Sequence, residues 1–196
     1  MNSVYEKCPT YETEHFKIRN VQVTDAEDLL CCYSDLEAAE LFNSDNCTNN
    51  FFYTTLDEMK QCIEFWLEEY RKQYYIRFSI VEKGTEKVIG TIEIFNKETF
   101  GKLKNVGILR LDLCSEYETE HFLGELIKMS NQHFYEAFGL ENIMTKAISK
   151  AANRIKVLAN NCYIPVIGHS VMPFDNYYIR NCITSSDTSE HIRQLF

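Results

Sequence analysis

The chain has 196 residues, 45% hydrophobic and 25% charged, enough for one domain with a sizeable core, with or without a small appendage. Its net charge of −9 and isoelectric point near 5.1 come without any cluster of Lys and Arg, so the cationic footprint that nucleic acid requires is missing. A cationic or amine ligand suits such a field better. The segment Met-Asn-Ser-Val-Tyr-Glu-Lys lacks the apolar stretch of a leader, and no apolar run approaches the length of a membrane span. A cytoplasmic chain that engages no membrane is expected.

Eight cysteines (Cys8, Cys31, Cys32, Cys47, Cys62, Cys114, Cys162 and Cys182) form no CxxC pair and mostly lie inside apolar patterns. They read as buried free thiols in preference to a disulfide framework or a metal site. His15, His133, His169 and His191 form no metal-ligand spacing, so no metal is expected. Asn46-Cys47-Thr48 matches a glycosylation sequon, which has meaning only in a secreted chain.

In chain order, Phe16 to Val21 alternates as a first strand. Thr24-Asp25-Ala26-Glu27 reads as a capping box opening a helix with Leu29, Leu30 and Tyr33 inward. Asn43 to Asn50 is polar and loop-like. Thr55-Leu56-Asp57-Glu58 is a second capping box, before Met59, Ile63, Trp66, Leu67 and Tyr70 at helical spacing, a core stripe. Tyr74 to Glu82 and Lys87 to Asn96 are strands joined by the hairpin Lys83-Gly84-Thr85-Glu86. Phe100-Gly101-Lys102 turns the chain into a strand ending at Cys114. A helix then runs to Phe138, its stripe built on Leu123, Leu126, Ile127, Phe134, Ala137 and Phe138, with Gly139 as its stop. A strand at Asn142 to Ile148, a helix at Ala151 to Asn161 and a strand at Tyr163 to His169 follow, with Tyr177 to Ile183 pairing with the last and a polar tail from Ser185. The order β-α-α-β-β-β-α-β-α-β-β describes an α/β (α+β) domain with a mixed, mostly antiparallel sheet flanked by helices. Tyr-Glu-Thr-Glu-His-Phe occurs twice, at Tyr11–Phe16 and Tyr117–Phe122.

The junction from Val106 to Leu126 organises the chain. A strand running through a short loop (Ser115 to Glu120) into a helix aims the helix's first N–H groups into that loop, where an anion can sit. The loop itself reads Glu116-Tyr117-Glu118-Thr119-Glu120, with no glycine before Gly124. Backbone geometry invites a diphosphate, and three carboxylates oppose it.

This order, with a phosphate-type loop after the fourth strand, resembles the GNAT superfamily of acetyl-coenzyme A-dependent N-acetyltransferases, and most of all its branch acting on ribosomal-protein N-termini and small amines. The likeness covers roughly Phe16 to His169. It is best at Phe134-Tyr135-Glu136-Ala137-Phe138-Gly139-Leu140-Glu141-Asn142-Ile143, followed by Ile155-Lys156-Val157-Leu158 and Cys162-Tyr163. It implies one domain over 1–196, with a core of about 16–183 and a loose tail at 184–196. It also implies acetyl-coenzyme A as donor, a small-molecule or peptide amine as acceptor, and a second copy of the chain as the partner for assembly. The coenzyme contacts so implied are Leu113, Ser115, Glu118, Thr119, Glu120, His121, Phe122 and Leu123, with Asn153 from the next helix.

The family motif Arg/Gln-x-x-Gly-x-Gly/Ala is degenerate here. Aligned on Phe122 and Glu125, its positions hold Glu118, His121 and Leu123. A carboxylate about 5 Å from a phosphate charge costs roughly 3 kcal/mol at an effective dielectric near 20. Helix N-terminal stabilisation of ~0.3–1 kcal/mol per charge does not offset it. The next helix carries Ala151 and Arg154 where the family has Asn and a small residue, and Leu158 where some members carry a tyrosine acid.

Alternation in the fourth strand puts Ile108, Arg110, Asp112 and Cys114 on one face and Leu109, Leu111 and Leu113 on the other. Asp112, or Glu93 on the preceding strand, is the candidate base for direct acetyl transfer; the alternative for both is an ion pair with Arg110. Cys114 has no histidine at a readable spacing and reads as a packed thiol. Two functions stay open: an N-acetyltransferase that tolerates its unusual loop, and an inactive GNAT-fold binding or regulatory module that has lost acetyl-coenzyme A. A third is a fold relative using an acyl donor with a different headgroup.

Overall fold

The alternating apolar runs pair as strands β1 Tyr11–Glu12, β2 Phe16–Asn20, β3 Ile76–Glu82, β4 Val88–Phe100, β5 Leu103–Leu113, β6 Asn142–Lys146, β7 Ile164–Pro165 and β8 Tyr177–Asn181. The helices are α1 Ala26–Tyr33, α2 Leu36–Ala39, α3 Leu56–Arg71, α4 Glu120–Phe138 and α5 Ala152–Asn160. The computed structural model describes residues 3–42, 50–100, 103–167 and 172–182, the side chains of 97–100 excepted. The expected turn at Gly101-Lys102, most of the loop at 43–50, His169, His191 and the tail from Ser185 lie outside the described residues.

The sheet order is β1-β2-β3-β4-β5-β6-β8-β7. Every neighbouring pair is antiparallel except β5 and β6, which run parallel from Val106↔Asn142 to Leu109↔Thr145. The mixed, mostly antiparallel sheet expected from the sequence is the one observed. On one face, Leu109, Leu111 and Leu113 of β5 pack with Leu123, Leu126, Ile127 and Phe134 of α4. The other face carries α1 and α3, whose Tyr33, Met59, Ile63 and Trp66 form a second core.

Most helix signals act locally as read. Thr55 caps α3: its Oγ1 accepts from the Glu58 N–H at 3.3 Å, and Glu58 Oε2 accepts from the Thr55 N–H at 3.0 Å. Gly139 ends α4 in the left-handed region at φ +62°. The first helix differs from its expected start. A 3₁₀ turn at Val23–Asp25 precedes α1, so the cap falls not on Thr24 but on the turn before it, where Asp25 accepts from the Gln22 N–H at 2.9 Å. Asp25 is turned inward because Arg19 (2.7 Å) and Ser79 (2.6 Å) claim its carboxylate. Three further elements depart from expectation: β1 and α2 had no readable periodicity, and among the described residues of the strand predicted at Tyr163 to His169 only Ile164–Pro165 pairs.

Backbones approach closely where β4 meets the end of β5. A Cβ on Gly90 would lie 2.1 Å from the Asp112 carbonyl oxygen, whereas one on Gly84 in the hairpin meets nothing within 4 Å. Gly90→Ala is expected to lower stability by about 3 kcal/mol, and Gly84→Ala by less than about 0.5 kcal/mol, read as the difference in urea midpoint.

Candidate functional site

The chain leaves β5 through a 3₁₀ turn at Ser115–Tyr117 and enters α4 with Thr119 as its cap, whose Oγ1 accepts from the Phe122 N–H at 3.4 Å. The N–H groups of Glu120 and His121 come before any intrahelical acceptor and face out of the helix end. Asp35 steadies the turn, accepting from the Ser115 N–H at 2.9 Å and from two N–H groups of α2. Those bonds outweigh partial burial and hold its carboxyl below the ordinary range.

The acids of this loop do not converge on the helix end. Glu118 turns back under the loop and pairs with Arg154 of α5, with Arg154 Nε donating to Oε2 at 2.9 Å; both side chains are over 90% buried. Asn153 Nδ2 donates to the Glu118 carbonyl at 2.7 Å. Glu120 pairs with Lys156 at 2.7 Å on the surface. Two of the three loop carboxylates thus carry a cation from α5. The bulky residues at the expected glycine positions also point away: Leu123 is buried in the core, and His121 packs against His15 with ring centroids 4.9 Å apart. Phe122 packs on Phe16 and Tyr117. The repulsion expected from Glu118 presumed a side chain facing outward; the structure turns it inward because a buried guanidinium lies beneath.

Next to this loop the sheet opens. β6 pairs with β5 only as far as Leu109↔Thr145, while β5 runs on to Leu113, buried against α4. The edge from Arg110 to Leu113 therefore has no β6 beside it. The wedge is lined by Leu111, Leu123, Ile127, Thr145, Arg154, Val157 and Leu158, with about 10 Å³ of free volume, about one water molecule's room. Arg154 fills it, its Nη2 donating to the Leu111 carbonyl at 2.8 Å. Burial opposes the charge of Arg154, but Glu118 outweighs burial and keeps the guanidinium above its ordinary pKa.

On the opposite sheet face the register stacks polar residues in two rows, Arg77–Glu93–Arg110 and Ser79–Thr91–Asp112. Asp112, fully buried, accepts from Tyr33 Oη at 2.8 Å, Arg77 Nη1 at 3.1 Å and Arg110 Nε at 3.0 Å. Glu93 pairs with Arg77 and keeps 8% of its surface exposed. Aromatic faces complete the cluster: Trp66 lies 4.3 Å from the Arg77 guanidinium and Phe51 lies 3.6 Å from that of Arg110. Burial opposes the charge of Arg77, yet Glu93, Tyr33 and Asp112 together raise its pKa well above the ordinary value. Burial, and then Asp112, push the Tyr33 phenol up.

Solved structures superpose on this fold along most of its length. The ribosomal-protein-S5-alanine acetyltransferase from Vibrio fischeri superposes with a TM-score of 0.67 at 19% identity, over 89% of this chain and 97% of that one. A ribosomal L7/L12 alpha-N-protein acetyltransferase in complex with coenzyme A does so with a TM-score of 0.67 at 8% identity, over 88% and 98%. The fold is the GNAT fold. In sequence, the uncharacterized N-acetyltransferase YoaA of Bacillus subtilis (strain 168) is 22% identical over 149 residues, covering 75% of this chain and 79% of its own. No family model matches the chain.

In GNAT terms, the loop residues named from the sequence surround one helix end, while Asp112 and Glu93 lie across the sheet in the arginine cluster. Both acids are paired: Asp112 with Arg110, one of the two pairs that the alternative reading named, and Glu93 with Arg77. Sequence reasoning missed Arg77, Tyr33 and Lys156. Their signals were an arginine inside a largely apolar strand, an inward-facing tyrosine on the first helix and a lysine on the helix face toward the loop. Cys114 lies beside Cys32, whose hydrogen bond lowers the Cys114 pKa. Asp112→Asn removes the buried carboxylate that the Arg77 and Arg110 guanidiniums share and is expected to cost about 3–5 kcal/mol of unfolding free energy, measured by denaturant titration.

Proposed function

We propose that the chain is an N-acetyltransferase that moves an acetyl group from acetyl-coenzyme A directly to the amine of a small molecule or a peptide. The observation that carries this reading is the charge balance at the parted strand: the N–H groups of Glu120 and His121 face out of α4, and Lys156 and Arg154 of α5 answer the loop acids. The inactive alternative rests on three acids and two bulky residues where a diphosphate would lie; against it, Glu118 is paired beneath the loop, Glu120 is matched by Lys156 and Leu123 is buried in the core. The acidic field of the chain, −9 overall, also suits an amine acceptor.

Acetyl-coenzyme A supplies the activated thioester. The chain's part at its headgroup is anion recognition, by helix N–H groups and by Lys156, whose exposed pair with Glu120 is weak enough to be exchanged for a phosphate. Deeper in the wedge, Arg154 has to leave the Leu111 carbonyl for a donor to lie along β5, since about 10 Å³ admits no more than a water molecule. Glu93, at the less buried edge of the arginine cluster, is the group we assign to accept the amine proton through water. Asp112, held by Tyr33 and two arginines, fixes the cluster and with it the carboxylate of Glu93.

Acetyl-coenzyme A at 100 times its dissociation constant is expected to stabilise the fold by about 2.7 kcal/mol, visible as a thermal shift. No shift at millimolar ligand would sink the reading. Lys156→Ala is expected to loosen acetyl-coenzyme A by about 2- to 5-fold and to leave a phosphate-free acetyl-pantetheine donor unaffected. Glu93→Gln is expected to lower kcat by about 10²–10⁴-fold with donor affinity unchanged, followed by thiol release from coenzyme A. A kcat within a factor of two of the parent would remove Glu93 from the base role.

A further inference from the structure

The two copies of Tyr-Glu-Thr-Glu-His-Phe meet in the fold. The first leads into β2 and the second into α4, and their final residues Phe16 and Phe122 pack with ring centroids 5.3 Å apart. Their histidines stand side by side at the surface, His15 edge-on to His121. Glu125, one turn along α4 from His121, completes the group: its Oε1 accepts from the His15 N–H at 2.8 Å and its Oε2 lies 2.8 Å from His15 Nδ1.

We propose that the side chains of His15, His121 and Glu125 form a binding site for a divalent transition-metal ion of the zinc class, beside the helix end whose N–H groups are assigned to the headgroup. One donor atom from each residue can be chosen so that all three lie within 4.8 Å of one another. Two imidazoles and a carboxylate are a donor set that zinc takes with a fourth position left for water, whereas magnesium and calcium favour all-oxygen sets. His121 and Glu125, four apart on α4, share a helix face, so the backbone presents both without strain. His121 is exposed, and rotation of its side chain closes the donors toward the ~2.0–2.2 Å metal–ligand distances. The charge around the group favours a cation. Glu14 and Glu120 line the same depression, with Lys128 opposing them and Lys156 held on Glu120. Bound there, the ion ties the entry of β2 to the first turns of α4, two segments far apart in the chain.

The test is calorimetric titration of the metal-stripped, fully reduced chain with Zn²⁺, with Co²⁺ absorption as the second readout. One equivalent of Zn²⁺ is expected, with Co²⁺ giving visible tetrahedral bands and no near-ultraviolet thiolate band. His121→Ala, at an exposed position that leaves the fold intact, and His15→Ala should each lose that equivalent or weaken it by more than ~100-fold, beyond the ~10–100-fold cost of losing an outer partner. Equal stoichiometry and affinity in both variants, a thiolate band carried by the cysteines alone, or no binding at millimolar Zn²⁺ would each overturn the site. Each reading is independent of whether acetyl-coenzyme A binds.

Discussion

The two rows of charged and polar side chains across β3, β4 and β5 constrain the structure more than any apolar contact. A one-residue slip in either pairing would send Arg77 or Asp112 to the opposite face, among leucines that offer no partner. The register is thus held by the cost of stranding a charge. Such a cluster adds little net stability over an apolar core of the same shape, because desolvation consumes most of the Coulomb attraction. What it supplies is an ordered polar patch under Tyr33, Trp66 and Phe51, on the sheet face away from α4.

The opposite face is organised by α5. It brings Asn153, Arg154 and Lys156 to the loop between β5 and α4, and each of the three has a partner there. A loop rich in glutamate is electrostatically poor ground for a diphosphate only while its acids stand alone. With Glu118 buried on Arg154 and Glu120 matched by Lys156, two of the loop's three acids are answered by α5. Both cations come from the neighbouring helix and not from the loop itself.

How far the sequence could be read follows from how local each cause is. The capping box of α3, the stop at Gly139 and the hairpin at Lys83–Glu86 depend on residues within four positions, and they were legible. So was the alternation that separates Arg110 and Asp112 from Leu109, Leu111 and Leu113. The direction of Glu118 was not, because it depends on a guanidinium 36 residues away. The pair of Glu93 with Arg77 was not either, since it depends on a strand register that sequence alone does not fix. The repeated hexapeptide was visible as a pattern, but its meaning required knowing that β2 and the start of α4 are neighbours.

At both margins of the sheet the described residues form strands of only two residues, β1 and β7, and one of the two in β7 is a proline with no amide hydrogen to give. Such margins offer little unpaired backbone for a foreign strand to grip, which guards the protein against edge-to-edge aggregation. If copies of this chain associate, these two strands give them little to build a continuous sheet on, and helical surfaces become the natural meeting ground.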